Sequence, residues 1–267
     1  MKNHGGCNIA GVRVHAVDYD YTVERIIDAA VANEALSVSA LAVHGVMTGV
    51  DDAVHRWRLN NFDLVTPDGQ PVRWALRWLH GIKLPDRVYG PNLMRQTVAQ
   101  AAEKGLCVYL FGGTEEILSA LTAKLVDKHP DLVVIAEASQ FRTLDATERD
   151  SLVQRIRNSD ADVVFVGLGC PRQEIFVSEM AADVGLPMLA CGAAFEYLAE
   201  LKTEPPAWVQ RYGLQWFQRL LADPRRLWHR YLVLNPRFVA RIVAQHTGLW
   251  NPRLEDTEAA VEPIRYG

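Results

Sequence analysis

No uninterrupted apolar run in the chain approaches the roughly 18–20 residues that a membrane-crossing helix requires. The opening MKNHGGCNIAG also lacks the apolar centre of a secretory signal. Together these predict a cytoplasmic chain, free or lying on the inner membrane surface. Cysteine is sparse. Cys7, Cys107, Cys170 and Cys191 stand far apart with no C-x-x-C pair, which argues against a disulfide framework and against the usual zinc spacing. The eight histidines form no H-E-x-x-H or related ligand pattern, so neither a metal nor another cofactor is expected. The net charge of -4 gives no reason to expect nucleic acid as a partner. There is no internal repeat and no low-complexity tract.

What is present is ordinary globular composition, 49% hydrophobic and 22% charged over 267 residues, enough for a substantial core. Short β-rich runs at 39–43, 62–66, 106–111, 132–136, 162–166 and 187–191 alternate with helical patterns. The helices fall at 51–60, 71–80, 91–104, 115–128, 147–158 and 172–184, with another from Thr22 to about residue 34. Strands that recur after each helix, and that are apolar throughout like VVFVG, predict a mostly parallel sheet with helices on both faces.

The composition changes after Leu201. From Lys202 to Arg241 there are eight Lys or Arg residues against Glu204 and Asp223 alone, interleaved with Trp208, Tyr212, Trp216, Phe217, Trp228, Tyr231 and Phe238. Trp208, Tyr212, Trp216 and Leu220 recur at helical spacing. Asp223-Pro224 reads as the start of a second helix, and Asn235-Pro236 as its end or a kink. The expected organisation is an α/β core at 1–201, a basic and aromatic helical appendage at 202–248, and a polar, frayed tail at 249–267.

Ligands of open parallel sheets bind at the carboxyl ends of the strands. Thr66-Pro67-Asp68-Gly69 puts a carboxylate there, where it serves either as a general base or as a turn acceptor. Gly167-Leu168-Gly169-Cys170-Pro171-Arg172-Gln173-Glu174 sets glycines and a helix start where an anion would bind, although the third glycine of a dinucleotide fingerprint is missing. Phe111-Gly112-Gly113-Thr114 repeats that logic or merely allows tight packing. Arg87, before Gly90-Pro91, reaches either a diphosphate or a surface partner. Asp18-Tyr19-Asp20 and Asp160-Ala161-Asp162 match a metal-binding D-x-D pattern but read as structural.

DLVTPDGQPVRWAL, LPDRVYG, LFGG, VGLGCPRQE, CGAAFEYLA and PAWVQRYGLQWFQRLLADPRRLW, in this order, resemble the WecG/TagA/CpsF glycosyltransferase family. The resemblance implies a Rossmann-like, doubly wound α/β core and an inverting, metal-independent transfer from a UDP-sugar to an undecaprenyl-diphosphate-linked saccharide of a cell-surface glycan. It implies that Asp68 is the base and that Arg87 and Gln173 contact the donor. Gly90, Gly112, Gly113, Gly167, Gly169, Arg172 and Glu174 complete the expected donor-binding set. His44, Gly192, Arg211, Arg219 and Arg225 are the further candidates for donor or acceptor contact.

Departures from the family pattern are His44 near the usual T-x-N, Glu200 for a glycine, Glu204-Pro205-Pro206 for R-A-P, and Leu214-Gln215-Trp216 for L-E-W. The basic appendage predicts peripheral contact with an anionic membrane surface. A catalytically silent nucleotide-sugar-binding module and an NAD(P)-dependent oxidoreductase are the alternatives, and oligomeric state is not legible.

Overall fold

The computed structural model describes residues 2–206, 209 and 212–260. Six strands form one sheet in which every neighbouring pair is parallel. An antiparallel hairpin, β1 (Asn3–Ile9) and β2 (Val12–Val17), precedes it. The sheet strands are β3 (Leu36–Leu41), β4 (Leu64–Pro67), β5 (Val108–Gly112), β6 (Val134–Glu137), β7 (Val163–Gly167) and β8 (Pro187–Ala190), in the order β4-β3-β8-β7-β5-β6. Central strands such as β7 are buried on both faces, which is why their sequences are apolar without alternation.

Two hydrophobic clusters lie on opposite sides of the sheet. One gathers Ile26 and Ile27 of α1 (Tyr19–Ala32), Leu93 and Val98 of α5 (Gly90–Glu103), Leu121 of α6 (Glu115–Lys128), and Phe195 of α9 (Ala193–Leu198). The other gathers Met47 of α2 (Val43–Asp51), Leu59 of α3 (Ala53–Asn60), Leu76 of α4 (Gln70–His80), Ile156 of α7 (Ala146–Arg157) and Phe176 of α8 (Arg172–Val184). The doubly wound α/β fold expected from the sequence is therefore present. Its six sheet strands are all parallel rather than mostly so.

Three local features differ from the sequence expectation. The first helix starts earlier, because Asp18 rather than Thr22 caps it, accepting from the Tyr21 N–H at 3.0 Å. The hairpin has no counterpart among the expected strands. Its turn, Ala10-Gly11, has positive φ at both residues, the twist that two-residue hairpins favour. Helix α2 fills what reads as a loop.

Past Leu201, the described helices are α10 (Gln215–Ala222), α11 (Pro224–Trp228) and α12 (Asn235–His246), with a π-helical turn at His229–Leu234. Gly213, at φ +70, delays the start of α10, so Tyr212 stands in a turn, and Trp208 lies outside the described residues. Pro236 lacks an N–H and disturbs the i→i-4 ladder; the chain stays helical by widening to the π turn just before it. Leu234, Phe238 and Ile242 are buried in the same cluster as α2 and α4, so this region is sewn into the core.

Residues beyond Gly248 were expected to fray. Instead Trp250 packs on the core, and the carbonyls of Pro252 and Leu254 accept from Asn8 (2.7 Å) and Asn60 (2.9 Å). Those side-chain amides satisfy backbone groups that a polar tail would otherwise leave to water. Residues 261–267 of that expected tail lie outside the described residues. No described helix is long and apolar enough to cross a membrane.

Candidate functional site

Asp68 follows β4 directly. Its N–H donates to the Leu41 carbonyl of β3 at 3.2 Å, and Val88 N–H donates to Pro67 O at 2.9 Å, so three chain segments meet there. The Asp68 carboxylate accepts from the N–H of Gly90, the first residue of α5. A Cβ on Gly90 would lie 3.5 Å from Ala40 and 3.8 Å from Asp68 Oδ2, so the helix start stands close against the carboxylate.

Burial raises the Asp68 pKa, and the charges of Arg87, Arg219 and Arg230, with the Gly90 bond, oppose the rise. Arg87 is buried, its guanidinium 4.4 Å from the centroid of the Tyr89 ring. Arg219, from α10, lies 5.7 Å from the Tyr197 ring centroid, and the Tyr89 and Tyr197 rings are 6.4 Å apart. Tyr19 completes the wall, its hydroxyl accepting from Tyr89 N–H at 2.8 Å. A carboxylate surrounded by arginines and phenol rings results, with two of the arginines supplied by the C-terminal region.

His44, in the first turn of α2, is pushed down to about 4 by burial first and then by Arg230, His229 and His55. It is neutral near pH 7, and its Nδ1 is buried with no hydrogen-bond partner among the described residues.

The loops after β7 and β8 are tied together by Gln173. Its Oε1 accepts from Gly169 N–H at 3.1 Å and from Gly192 N–H at 2.9 Å. Its Nε2 donates to Glu174 Oε1 at 2.9 Å, which also accepts from Ser39 of β3 at 3.3 Å. Glu174 is 1% exposed, and burial raises its pKa. Gln173 and Glu174 thus act as an internal brace. The Gly169 N–H, expected to face an anion, is already engaged by that brace.

The glycines divide by environment. A Cβ on Gly112 would lie 2.8 Å from the Gly167 backbone, and one on Gly167 would lie 2.6 Å from the Phe195 ring. One on Gly192 would lie 2.5 Å from Gln173 Oε1. Close packing accounts for all three. Gly113 and Gly169 have positive φ, and apart from its chain neighbours no described residue comes within 4 Å of a Cβ added at Gly169. Arg172 opens α8 beside that space and is exposed. Arg225 is exposed on α11 and is not among the charges acting on Asp68, while Arg211 lies outside the described residues.

One aspartate of each D-x-D pair has a structural role. Asp18 caps α1, and Asp162 accepts from Cys107 N–H at 2.7 Å. Among the described residues, no group of three His, Cys, Asp or Glu is placed to hold an ion.

Residues 7–252 match the family described as Glycosyl transferase WecG/TagA/CpsF. The chain belongs to that family. Within the matched residues, Asp68 stands at the carboxyl end of β4. Glu204, where the family usually has an arginine, pairs with Arg95 of α5 at 2.5 Å. Glu200 has φ +57, a left-handed conformation that explains the family's usual glycine.

Arg230, Tyr89 and Tyr197 were missing from the expected site residues. Tyr89 and Tyr197 do lie inside the family motifs LPDRVYG and CGAAFEYLA. Arg230 had no sequence signal beyond the basic composition of its segment. Two surface cavities, of about 390 and 840 Å³, lie against Gln245 and the tail and between α6 and β6; neither contains a candidate residue.

Proposed function

We propose that the chain is an inverting, metal-independent glycosyltransferase that moves a sugar from a UDP-sugar to an undecaprenyl-diphosphate-linked saccharide in cell-surface glycan synthesis. The observation that carries this is the Asp68 carboxylate, raised in pKa at a strand's carboxyl end and facing Arg87, Arg219 and Arg230. Asp68 takes the proton from an acceptor hydroxyl as that oxygen bonds to the anomeric carbon. The bond from that carbon to UDP breaks on the opposite side, and UDP leaves with the electron pair. The arginines stabilise the charge gathering on the diphosphate. Arg172 and the open space at Gly169 belong to the donor side. His44, held neutral by burial and by Arg230, lies close to the arginine that also acts on Asp68. The basic C-terminal helices rest on the anionic inner membrane surface, where such an acceptor is anchored.

UDP release from a panel of UDP-sugars, with and without a lipid-diphosphate-sugar acceptor and in EDTA, tests the reading. Acceptor-dependent release with one donor is expected, and Asp68→Asn should lower it by about 10²–10⁴-fold while leaving UDP binding intact. UDP binding without release from any pair would favour a silent nucleotide-sugar-binding module. Loss of release only in EDTA would contradict metal independence.

A further inference from the structure

Helix α4 begins two residues after Asp68 and belongs to the α/β core, yet it carries two half-exposed tryptophans. Trp74 and Trp78, four residues apart on one face, are each 50% exposed, while Val72, Ala75 and Leu76 of the same helix are buried. A folded core seldom leaves two indoles facing water on neighbouring turns unless something covers them.

The indoles are continuous with the C-terminal helices. A Cβ on Gly213 would lie 3.1 Å from the Trp74 ring, so the chain entering α10, with exposed Phe217 and Leu221, abuts Trp74. Trp78 stacks on His246 of α12 at 5.0 Å, the helix that exposes Val239 and Val243. One apolar face therefore crosses from the core onto the C-terminal region.

Charge identifies what covers it. The chain carries -4 overall. Among the arginines of α4 and residues 215–246, Arg219 and Arg230 act on Asp68 and Arg237 pairs with Asp51, which leaves Arg77, Arg225 and Arg241 exposed beside a single acidic residue, Asp223. A second copy seated on this face would set arginine against arginine, which opposes self-association. An anionic lipid surface meets both demands, indoles at the headgroup boundary and guanidinium groups on phosphate.

We propose that Trp74 and Trp78 of α4 insert into an anionic lipid surface alongside the apolar side chains of α10 and α12, so that the core itself docks on the bilayer. The inference rests on the reading of the acceptor as lipid-linked. It adds that Asp68, six residues before Trp74, is held close to the headgroup layer where the diphosphate of such an acceptor lies.

Removing the C-terminal region would expose Leu234, Phe238 and Ile242 partners in the core, so the test substitutes surface residues of the full chain. Flotation with vesicles of phosphatidylcholine and phosphatidylglycerol, and of phosphatidylcholine alone, is compared for wild type, Trp74→Ser/Trp78→Ser and Arg77→Gln. The tryptophan pair should weaken binding at least about tenfold while the variant stays folded and its transfer to a water-soluble acceptor is retained. Arg77→Gln should weaken it roughly fivefold on the anionic vesicles alone. Wild type that fails to float overturns the proposal, as does a tryptophan variant that floats equally well. Concentration-dependent self-association, abolished by the tryptophan pair and without flotation, would assign the face to a second copy instead. Failure of every UDP-sugar on the soluble acceptor would sink the transferase reading and leave the flotation result readable.

Discussion

Gln173 shows how one side chain ties two loops of a site together. Two backbone N–H groups from different loops converge on its Oε1, and a buried glutamate holds its amide from the other side. Replacing it with leucine keeps the approximate bulk and strands both partly buried donors. Each stranded donor costs about 1–3 kcal/mol, so Gln173→Leu should lower unfolding stability by roughly 2–4 kcal/mol in a urea titration. A residue that only contacted the donor would leave the urea midpoint in place and change KM alone. The motif Gly-Leu-Gly-Cys-Pro-Arg-Gln-Glu was visible in the sequence, but this division of labour was not. A glycine needed for anion approach and one needed for a phenylalanine ring are spelled the same way, and only the 2.6 Å that an added Cβ on Gly167 would leave to the Phe195 ring tells them apart.

Whole elements were legible where burial leaves a periodic trace. Helices α6 and α8 fall at the residues expected, and the six sheet strands lie within two or three residues of their apolar runs. The hairpin was harder, because its first strand opens on exposed polar and glycine residues and alternates inward only from Cys7 onward. Helix α3 contains a titrating group that no pattern announced. His55 is 1% exposed, with both ring nitrogens lacking a hydrogen-bond partner among the described residues, and burial lowers its pKa to about 4. The unfolded chain therefore binds more protons than the folded one between about pH 4 and pH 6.5. Stability from this residue is full above pH 6.5 and is lost as pH falls toward 4. At pH 5 the loss is on the order of 2 kcal/mol. His55→Leu should flatten the drop in urea midpoint between pH 7.5 and pH 5 by about that amount; an equally steep drop would remove His55 as its source.

At the scale of the molecule, the C-terminal region closes the site electrostatically. The sequence marked it as basic and aromatic, but the fold decides which arginines matter. Arg219 and Arg230 act on Asp68, whereas Arg237 pairs with Asp51 and Arg225 faces outward. If Asp68 is the base, turnover needs its ionised form, and kcat/KM falls as pH drops through its raised pKa. Arg219 favours the ionised form, so removing its charge raises that pKa further and moves the acidic limb to higher pH. Arg219→Gln should move the limb to higher pH. Arg225→Gln, which alters net charge equally at an exposed position, should leave it unmoved. A limb that shifts alike in both variants would point to the overall field of the chain. One that shifts in neither would detach the C-terminal helices from the chemistry at Asp68.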